Sequence, residues 1–310
     1  MTEPTGLLVM AYGTAAGPED VARYYTDIRG GRAPTPEALG ELKQRYAAIG
    51  NTFPLDRITR EQAAGLEAEL NARGGPTWKA FVGYKHSPPF VTESVVRMQA
   101  EGITEGYGIV MAPHYARMSI GGYVDRVRAG NPRALKLHVI QSWNVHPSFV
   151  SVLSDRVAAA RASLTEEERA NDLVICSAHS LPARIVEEGD PYPDQLRETA
   201  DAVAERLGLE RWTTAWQSAG RTPEPWLGPP LEEVVAKAAA DGYTAVVSSP
   251  CGFTADHLEV LYDVDIEAKA AAEEAGIRLV RTESMNADPA FLRAVADVVS
   301  DHLGHEEEHP

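Results

Sequence analysis

Short apolar segments alternate along the chain with longer segments in which apolar residues recur at helical spacing. The short segments are continuously apolar, as in LLVM at 7–10 and LVIC at 173–176, which is typical of strands whose two faces are covered by helices. The pattern predicts eight strands, at 6–13, 78–84, 107–113, 135–141, 173–177, 213–216, 244–249 and 278–281. Helices are predicted between them, including 19–28, 61–72, 149–162, 194–207 and 257–274. This alternation favours an α/β fold with parallel sheets.

A faint internal repeat divides the chain into two similar α/β halves, with a boundary near 142–147. Residues 81–103 align with residues 215–243, since each segment runs from a strand through a proline-rich turn into a helix carrying ESVV or EEVV. The halves also begin alike, with GLLVMAYGT and DLVICSAHS. Ligands of open parallel sheets bind beyond the carboxyl ends of the strands, so we expect a site in a cleft between the halves. The predicted strand ends carry Tyr12, His86, His114, His179 and Gln217.

Composition excludes several classes of protein. The chain has 310 residues and a formal net charge of −16, and an acidic chain without basic runs argues against a nucleic-acid or anionic-membrane partner. Its two cysteines, Cys176 and Cys251, cannot form a disulfide framework, and a reducing cytoplasm is expected. No segment approaches the ~18 apolar residues of a membrane span, and the first residues show no signal-peptide pattern.

The acidic trio Glu259, Asp263 and Glu267 follows a predicted buried strand and a Pro-Cys-Gly-Phe turn. On an α-helix, residues four apart share a face, so the three carboxylates stack as like charges. Such a trio is either a solvated acidic face or a set of carboxylates in a cleft. Carboxylates in a cleft serve as ligands for divalent cations and as proton acceptors.

His179 lies just beyond a predicted strand in the segment ICSAHSLPARI. A neutral imidazole at that position can ligate a metal ion or accept a proton, although a lone histidine is also a common structural residue. Ser177 and Ser180 permit a serine-hydrolase interpretation, but the chain has no G-x-S-x-G motif.

Tyr12 ends the first predicted strand, and no G-x-G-x-x-G or Walker A sequence follows it. The tyrosine is either a packed aromatic residue or a phenol that faces a ligand. A local group of basic residues follows in this acidic chain. Arg29, Arg32, Lys43 and Arg45, with Tyr46, could bind the carboxylates of an anionic substrate.

Taken together, several motifs resemble those of the ferrochelatase family, most closely the soluble type of monoderm bacteria that inserts ferrous iron into coproporphyrin III. They extend over nearly the whole chain and are GLLVMAYGT, ARYYTDIR, LKQRYAAIG, YKHSPPF, APHYARMS, SAHSLP, GDPYPDQL, WQSAGRTPEPWLGP and GFTADHLEVLYDVDIE. The resemblance implies two Rossmann-like domains at 1–142 and 143–285, with parallel four-stranded sheets and the porphyrin in the cleft between them. A closing helix within about 286–310 is then expected to pack back on the first domain.

The resemblance also implies roles for individual residues. His179 and Glu259 match the pair that binds the metal ion and removes the pyrrole protons, and Tyr12 matches a residue that approaches the iron from the opposite face. Further matches are residues that contact the porphyrin, namely Arg29, Arg45, Tyr46 and Tyr123. The last set of matches forms a line along which metal ions or protons move, namely His86, Asp263 and Glu267.

One position departs from the family pattern. The family commonly has GG-x-S-P-L after the RY-x-x-I segment, and its serine meets a propionate. This chain has GNTFPL, so Phe53 occupies that porphyrin-binding position and offers no side-chain donor. Either Thr52 or a backbone amide replaces the serine, or that contact is lost.

The resemblance implies Fe²⁺ as a substrate, no permanently bound cofactor and a monomer that contacts the downstream coprohaem decarboxylase transiently. A [2Fe–2S] cluster, which some relatives bind, is not expected because two cysteines cannot supply four thiolates. Two alternatives stay open beside the serine hydrolase. One is a ferrochelatase that acts on protoporphyrin IX, and the other is a non-catalytic carrier of tetrapyrroles or metal ions.

Overall fold

A computed structural model of the chain describes residues 3–131, 135–220 and 222–303. The chain forms two compact units. The first consists of Met1–Trp143 together with Met285–Pro310, and the second of Asn144–Ser284. The boundaries expected from the sequence, at 142/143 and 285/286, each lie one residue away.

The first unit contains a parallel sheet with helices on its faces. Its strands are β1 (Thr5–Ala11), β2 (Trp78–Tyr84), β3 (Glu105–Val110) and β4 (Lys136–Ile140), in the order β2-β1-β3-β4. Its first five α-helices are α1 (Val21–Ile28), α2 (Pro36–Ala48), α3 (Leu55–Ala72), α4 (Val91–Ala100) and α5 (Gly122–Gly130). A 3₁₀ turn (Pro18–Asp20) precedes α1, and a π-helical turn (Arg117–Gly121) precedes α5.

The second unit repeats this arrangement. Its strands are β5 (Asp172–His179), β6 (Trp212–Gln217), β7 (Ala245–Ser249) and β8 (Arg278–Arg281), in the order β6-β5-β7-β8. Its helices are α6 (Pro147–Ala162), α7 (Glu166–Ala170), α8 (Arg184–Glu187), α9 (Tyr192–Leu207), α10 (Leu231–Ala240) and α11 (Lys269–Glu274). A π-helical segment (Val260–Ala268) runs directly into α11.

All strand pairs within the two sheets are parallel. The central strands are covered on both faces, and their apolar side chains are almost fully buried, including Leu7 and Leu8 in β1 and Val174 and Ile175 in β5. Continuous burial explains why these strands are apolar at every position rather than at alternate ones. The predicted fold class, two units with four-stranded parallel sheets flanked by helices, is confirmed.

The two units share details beyond strand order, which supports the internal repeat. At the end of the second strand of each unit, an amide donates to a proline carbonyl in the turn that follows. Tyr84 N donates to Pro89 O at 2.8 Å, and Trp216 N donates to Pro229 O at 3.0 Å. The segment after the third strand is π-helical in both units.

The last helix, α12 (Pro289–Asp301), packs against α3 within the first unit. Gly65 of α3 makes this approach possible, since a Cβ atom there would lie 2.3 Å from the Leu292 Cδ1 atom. At the other end of α3, the Arg73 Nη1 atom donates to Asp297 Oδ1 at 2.8 Å. The predicted closing segment ends at 310, and its residues 304–310 lie outside the described part of the chain.

Two helices differ from their predictions by more than the two residues seen at the starts of the others. The helix predicted at 61–72 begins six residues earlier, at Leu55, where Arg57 pairs with Glu61, and Arg60 pairs with Asp56. These charged residues hide the helical period of its first turns. The helix predicted at 257–274 is π-helical from Val260 to Ala268, because a short apolar period cannot distinguish the i→i+4 turn from the wider i→i+5 turn. None of the described helices combines the length and the apolar character needed to cross a membrane.

The strand that ends at His179 begins at a buried ion pair. The Asp172 side chain is 2% exposed and accepts from Arg161 Nε at 2.7 Å and Arg161 Nη2 at 2.9 Å. Removing the partner of a buried charge leaves that charge desolvated without compensation. We expect Arg161→Ala to lower the free energy of unfolding by about 3 kcal/mol, measured by urea denaturation.

Arg57→Ala is the matched control. It removes an ion pair whose two side chains are 66% and 46% exposed, and such pairs contribute less than about 1 kcal/mol. Equal effects of the two substitutions would contradict a special role for the buried pair.

Candidate active site

His179 is the last residue of β5, and two hydrogen bonds fix its position. Its Nδ1 atom contacts the carbonyl oxygen of Ser180, and the Tyr192 hydroxyl donates to the His179 carbonyl at 3.0 Å. Because a carbonyl can only accept, Nδ1 carries the hydrogen. The lone pair of the neutral ring is therefore on Nε2.

Glu259 lies between two imidazoles. Its Oε1 atom is 3.5 Å from His179 Nε2, and its Oε2 atom is 3.5 Å from His257 Nε2. The Nδ1 atom of His257 lies 2.9 Å from the Ala255 carbonyl, so His257 also keeps its lone pair on Nε2 when neutral. One carboxylate thus faces the Nε2 atoms of two imidazole rings.

The carboxylate and the imidazole shift each other's protonation. Burial favours the neutral form of Glu259, but the charges and hydrogen bonds of His179 and His257 outweigh it and hold the pKa of the carboxyl well below its usual range. Burial also disfavours the imidazolium of His179, yet Glu259, the Ser180 carbonyl and Asp263 together raise the pKa of this ring. The pair favours a carboxylate beside a readily protonated imidazole.

The other two members of the acidic trio differ in exposure. Asp263, within the π-helical segment, is 2% exposed and accepts a hydrogen bond from the Ser218 hydroxyl. Glu267 is exposed and faces Glu232 of α10, whose pKa is raised first by burial and then by Glu267. The trio therefore runs from a pair of histidines, through a buried carboxylate, to an exposed one.

The serines of the SAHS segment do not form a nucleophilic site. Ser177 Oγ donates to Gln217 Oε1 at 2.8 Å, and Ser180 Oγ donates to Leu227 O at 2.8 Å. Both residues are fully or almost fully buried. Neither hydroxyl donates to the His179 imidazole, so the structure disfavours the serine-hydrolase alternative.

In the first unit, Tyr12 follows β1 and is 42% exposed. Its ring packs against His86, with 4.6 Å between the ring centroids, and His86 Nδ1 lies 2.7 Å from Asp27 Oδ1. Burial lowers the pKa of His86 to about 4 despite this carboxylate, so the ring is neutral near pH 7. Gly13 has φ +94°, and a Cβ atom there would lie 2.4 Å from Ser87 Oγ, so the turn after Tyr12 requires glycine.

Lys85, in the first unit, is a partly buried lysine. Its Nζ atom donates to the carbonyls of Met118 and Ser119 at 3.1 and 3.2 Å and lies 5.3 Å from the centroid of the Tyr123 ring. Burial, followed by the charge of Arg126, lowers the pKa of Lys85 to about 8. Tyr123 is itself buried, which raises the pKa of its phenol.

The predicted porphyrin-binding residues fall into exposed and packed positions. Arg29 is exposed at the end of α1, with its guanidinium 5.8 Å from the Tyr25 ring centroid. Arg45 is half-buried on α2, and the adjacent Tyr46 is 3% exposed and stacks on Phe53 with 4.4 Å between centroids. Phe53 therefore extends an aromatic surface at the position where the resemblance described above implies a serine hydroxyl.

Four residues of these groups were missed by the sequence analysis. His257 stands two positions before Glu259, and that spacing was a signal. Asp27 and Ser218 come together with His86 and Asp263 only through the fold, and Lys85 has no distinguishing sequence pattern. Among the residues that the structure describes, the His, Cys, Asp and Glu side chains form no group of three or more arranged to hold a metal ion.

Comparison with known proteins gives a consistent result. The ferrochelatase family profile matches residues 4–303. The chain is 48% identical over 301 residues to the coproporphyrin III ferrochelatase of Geobacillus sp. (strain WCH70), covering 95% of this chain and 96% of that protein. It is 47% identical over 303 residues to the coproporphyrin III ferrochelatase of Bacillus subtilis (strain 168), covering 96% and 98%.

Solved structures of chelatases show the same fold at low sequence identity. The cobalt complex of the sirohydrochlorin chelatase SirB from Bacillus subtilis subspecies spizizenii is similar with a TM-score of 0.56 and 12% identity, over 96% of this chain and 95% of that one. CbiX, described as the terminal enzyme of sirohaem biosynthesis in denitrifying bacteria, has a TM-score of 0.53 and 13% identity, over 96% and 100%. At these identities the similarity shows the fold alone.

The Glu259 carboxylate raises the pKa of His179, so its removal has a defined effect. In Glu259→Gln the charge is lost while the side chain keeps its shape, and burial then dominates the His179 ring. We expect the pKa of His179, measured by NMR titration of the imidazole, to fall below the wild-type value. Glu210→Gln, at a side chain that is 88% exposed, is the control, and an unchanged His179 titration in Glu259→Gln contradicts the coupling.

Proposed function

This chain belongs to the ferrochelatase family, and we propose that it inserts Fe²⁺ into coproporphyrin III to form coprohaem during haem biosynthesis. The reaction exchanges two pyrrole N–H protons for one divalent cation, so charge is conserved. A site for this exchange needs groups that accept protons and groups that hold a cation before it enters the ring.

The arrangement of Glu259 between two imidazoles carries the proposal. When the His179 ring is neutral, its Nε2 lone pair and the Glu259 carboxylate face one another, and nitrogen and oxygen donors of these types suit ferrous iron. A proton taken up by His179 creates a cation that the same carboxylate stabilises. Because one Fe²⁺ leaves for every two protons that arrive, the exchange does not change the net charge of the protein and porphyrin together.

We assign the first proton transfer to His179. Its Nδ1 atom is occupied by the Ser180 carbonyl, so Nε2 is the atom that takes the pyrrole proton. Glu259 holds Fe²⁺ or passes the proton on, and His257 is a second acceptor. Asp263 and Glu267 continue the line of carboxylates toward the exposed end of the π-helical segment, a suitable route for ions or protons.

We propose that the first unit binds and orients the porphyrin. Arg29 and Arg45 meet the propionates, and Tyr46, Phe53 and Tyr123 supply aromatic contacts. Tyr12, exposed at the end of β1, is the axial contact to the product iron. His86, which is neutral near pH 7 and packs against Tyr12, is proposed as part of the metal or proton path on that side.

Coproporphyrin III is the preferred substrate in this proposal because it carries four propionates, whereas protoporphyrin IX carries two. The polar segment before Tyr46, with Lys43 and Arg45, offers cations for the additional carboxylates. The names of the similar proteins support the same choice.

The remaining parts of the proposal concern the setting of the reaction. We propose that the chain holds no resident cofactor, because Cys176 and Cys251 are both buried and two thiols cannot ligate a [2Fe–2S] cluster. We place the protein in the cytoplasm as a monomer. Its product passes to the coprohaem decarboxylase through a transient contact.

Iron insertion with purified porphyrins tests the function directly. We expect anaerobic incubation with Fe²⁺ to convert coproporphyrin III at least about tenfold faster, in kcat/KM, than protoporphyrin IX, since each lost carboxylate–arginine contact weakens binding of the transition state. The measurement is the absorption of the metalloporphyrin. Faster conversion of protoporphyrin IX contradicts the substrate assignment, and tight porphyrin binding without turnover indicates a carrier.

His179→Ala separates proton transfer from porphyrin binding. We expect its kcat for iron insertion to fall by at least about a hundredfold, the usual contribution of a general base. The dissociation constant for coproporphyrin III, measured by fluorescence quenching, stays within about threefold of wild type because porphyrin affinity is assigned to the propionate and aromatic contacts of the first unit. His302→Ala, at the end of α12, is the control, and near-wild-type insertion by His179→Ala contradicts the assignment.

A further inference from the structure

Ser218 has an unusual backbone conformation. It follows the last residue of β6 and has φ +62°, in the left-handed region. Among the described residues, only Asn51 and Asn286 are other non-glycine residues with positive φ. Asparagine tolerates this region better than most residues. Serine is found there less often, because the left-handed conformation raises its backbone energy. Because glycine would adopt this conformation without strain, the serine side chain is a candidate for a functional role.

The Ser218 side chain forms a hydrogen bond with Asp263. Its hydroxyl donates to Asp263 Oδ2, which lies 45 residues further along the chain. Asp263 is 2% exposed and belongs to the π-helical segment that begins directly after Glu259. A hydrogen bond from a neutral hydroxyl to a buried carboxylate fixes the direction of that carboxylate.

The preceding residue holds the start of the same segment. Gln217 Nε2 donates to the Glu259 carbonyl at 3.4 Å, while its Oε1 atom accepts from Ser177 Oγ at 2.8 Å. Its backbone carbonyl accepts from Ser180 N at 2.7 Å. Gln217 therefore contacts residues on either side of His179 and the residue just before the π-helical segment, while Ser218 contacts Asp263 within that segment.

In the first unit, a different residue makes the equivalent contact between the end of the second strand and a π-helical segment. Lys85 follows the last residue of β2, the equivalent strand, and donates to the Met118 and Ser119 carbonyls of the π-helical turn. In both units, the end of the second strand thus supports the π-helical segment that follows the third. In the second unit this support reaches a carboxylate side chain, that of Asp263.

We propose that Ser218 is a positioning residue for iron insertion, which directs the Asp263 carboxylate toward the line that starts at Glu259. This inference rests on the proposed function and adds to it a residue that does not touch the substrate. Its left-handed conformation is the means by which a hydroxyl one position beyond β6 reaches the π-helical segment.

Three variants separate this role from a structural one. Ser218→Ala and Ser218→Gly both lose the hydroxyl, but only glycine fits the left-handed conformation, so Ser218→Gly is the more stable of the two. Ser218→Thr keeps the hydroxyl, yet its branched side chain is poorly suited to this conformation and lowers stability. Stability is measured as the melting temperature, and activity as kcat/KM for Fe²⁺ with coproporphyrin III.

We expect Ser218→Ala and Ser218→Gly to lose kcat/KM for Fe²⁺ equally, by about tenfold, as for a lost hydrogen bond to a charged group. The dissociation constant for coproporphyrin III is unchanged. Ser218→Thr keeps more activity than either, although it is less stable than Ser218→Gly. Activities that follow the order of stability, or a Ser218→Gly variant as active as wild type, overturn the proposal.

Asn286→Gly is the matched control, because it also replaces a positive-φ residue (φ +45°) by glycine, and it lies in the first unit outside the groups assigned to the reaction. A double substitution tests whether Ser218 acts through Asp263. If it does, adding Ser218→Gly to Asp263→Asn lowers kcat/KM for Fe²⁺ little further. If the fold-losses of the two single variants multiply in the double variant, the residues act independently and the connection is contradicted.

Crystal structures of wild type and Ser218→Gly give a readout that does not depend on turnover. We expect the Asp263 carboxylate to adopt a different rotamer in the variant, and an unchanged rotamer overturns the proposal. A wild-type protein that inserts no iron contradicts the proposed function instead, and the Asp263 rotamer then still decides whether Ser218 orients this side chain.

Discussion

The Glu259 carboxylate is partly removed from water, and burial by itself favours the neutral acid. Two imidazole nitrogens at 3.5 Å reverse that preference and keep the group ionised. The rest of the second unit can be understood from this constraint. The end of β5 holds His179 with Nε2 directed at the carboxylate, the turn after β7 brings His257 to its other oxygen, and Gln217 holds the Glu259 backbone.

An internal duplication supplies the scaffold for two different kinds of chemistry. Tyr12 directly follows β1, and His179 is the last residue of the equivalent strand β5. These strand ends present a phenol in the first unit and an imidazole in the second. The residues directly after the next pair of strands, Lys85 after β2 and Ser218 after β6, differ in type, but each contacts a π-helical segment. The repeated fold fixes positions, and the residues placed there determine the chemistry.

The distribution of charge matters more than its sum. A net charge of −16 opposes the approach of a porphyrin with four carboxylates. In the proposed function, Arg29 and Arg45 offset this locally in the first unit. The carboxylates assigned to the cation are grouped on one segment of the second unit, where like charges are tolerated because histidines compensate Glu259, and a hydroxyl satisfies Asp263.

The apolar pattern of the chain determined the eight strands and the duplication, because strands buried on both faces carry an unmistakable continuous signal. It also placed Tyr12 and His179 at strand ends and singled out Glu259, since these depend only on local sequence. Burial of Asp263 and exposure of Glu267 could not be read from a regular spacing, which treats both positions alike.

Only the tertiary structure decided the rest. The wider π-helical turn at Val260–Ala268 has no distinct sequence period, and the pairing of Asp27 with His86 and of Ser218 with Asp263 joins residues far apart in the chain. Local sequence determines which side chains a strand or turn can present. Which of them meet, and which lose water, depends on packing between distant segments, and that packing sets both the orientation of the carboxylates and their charge.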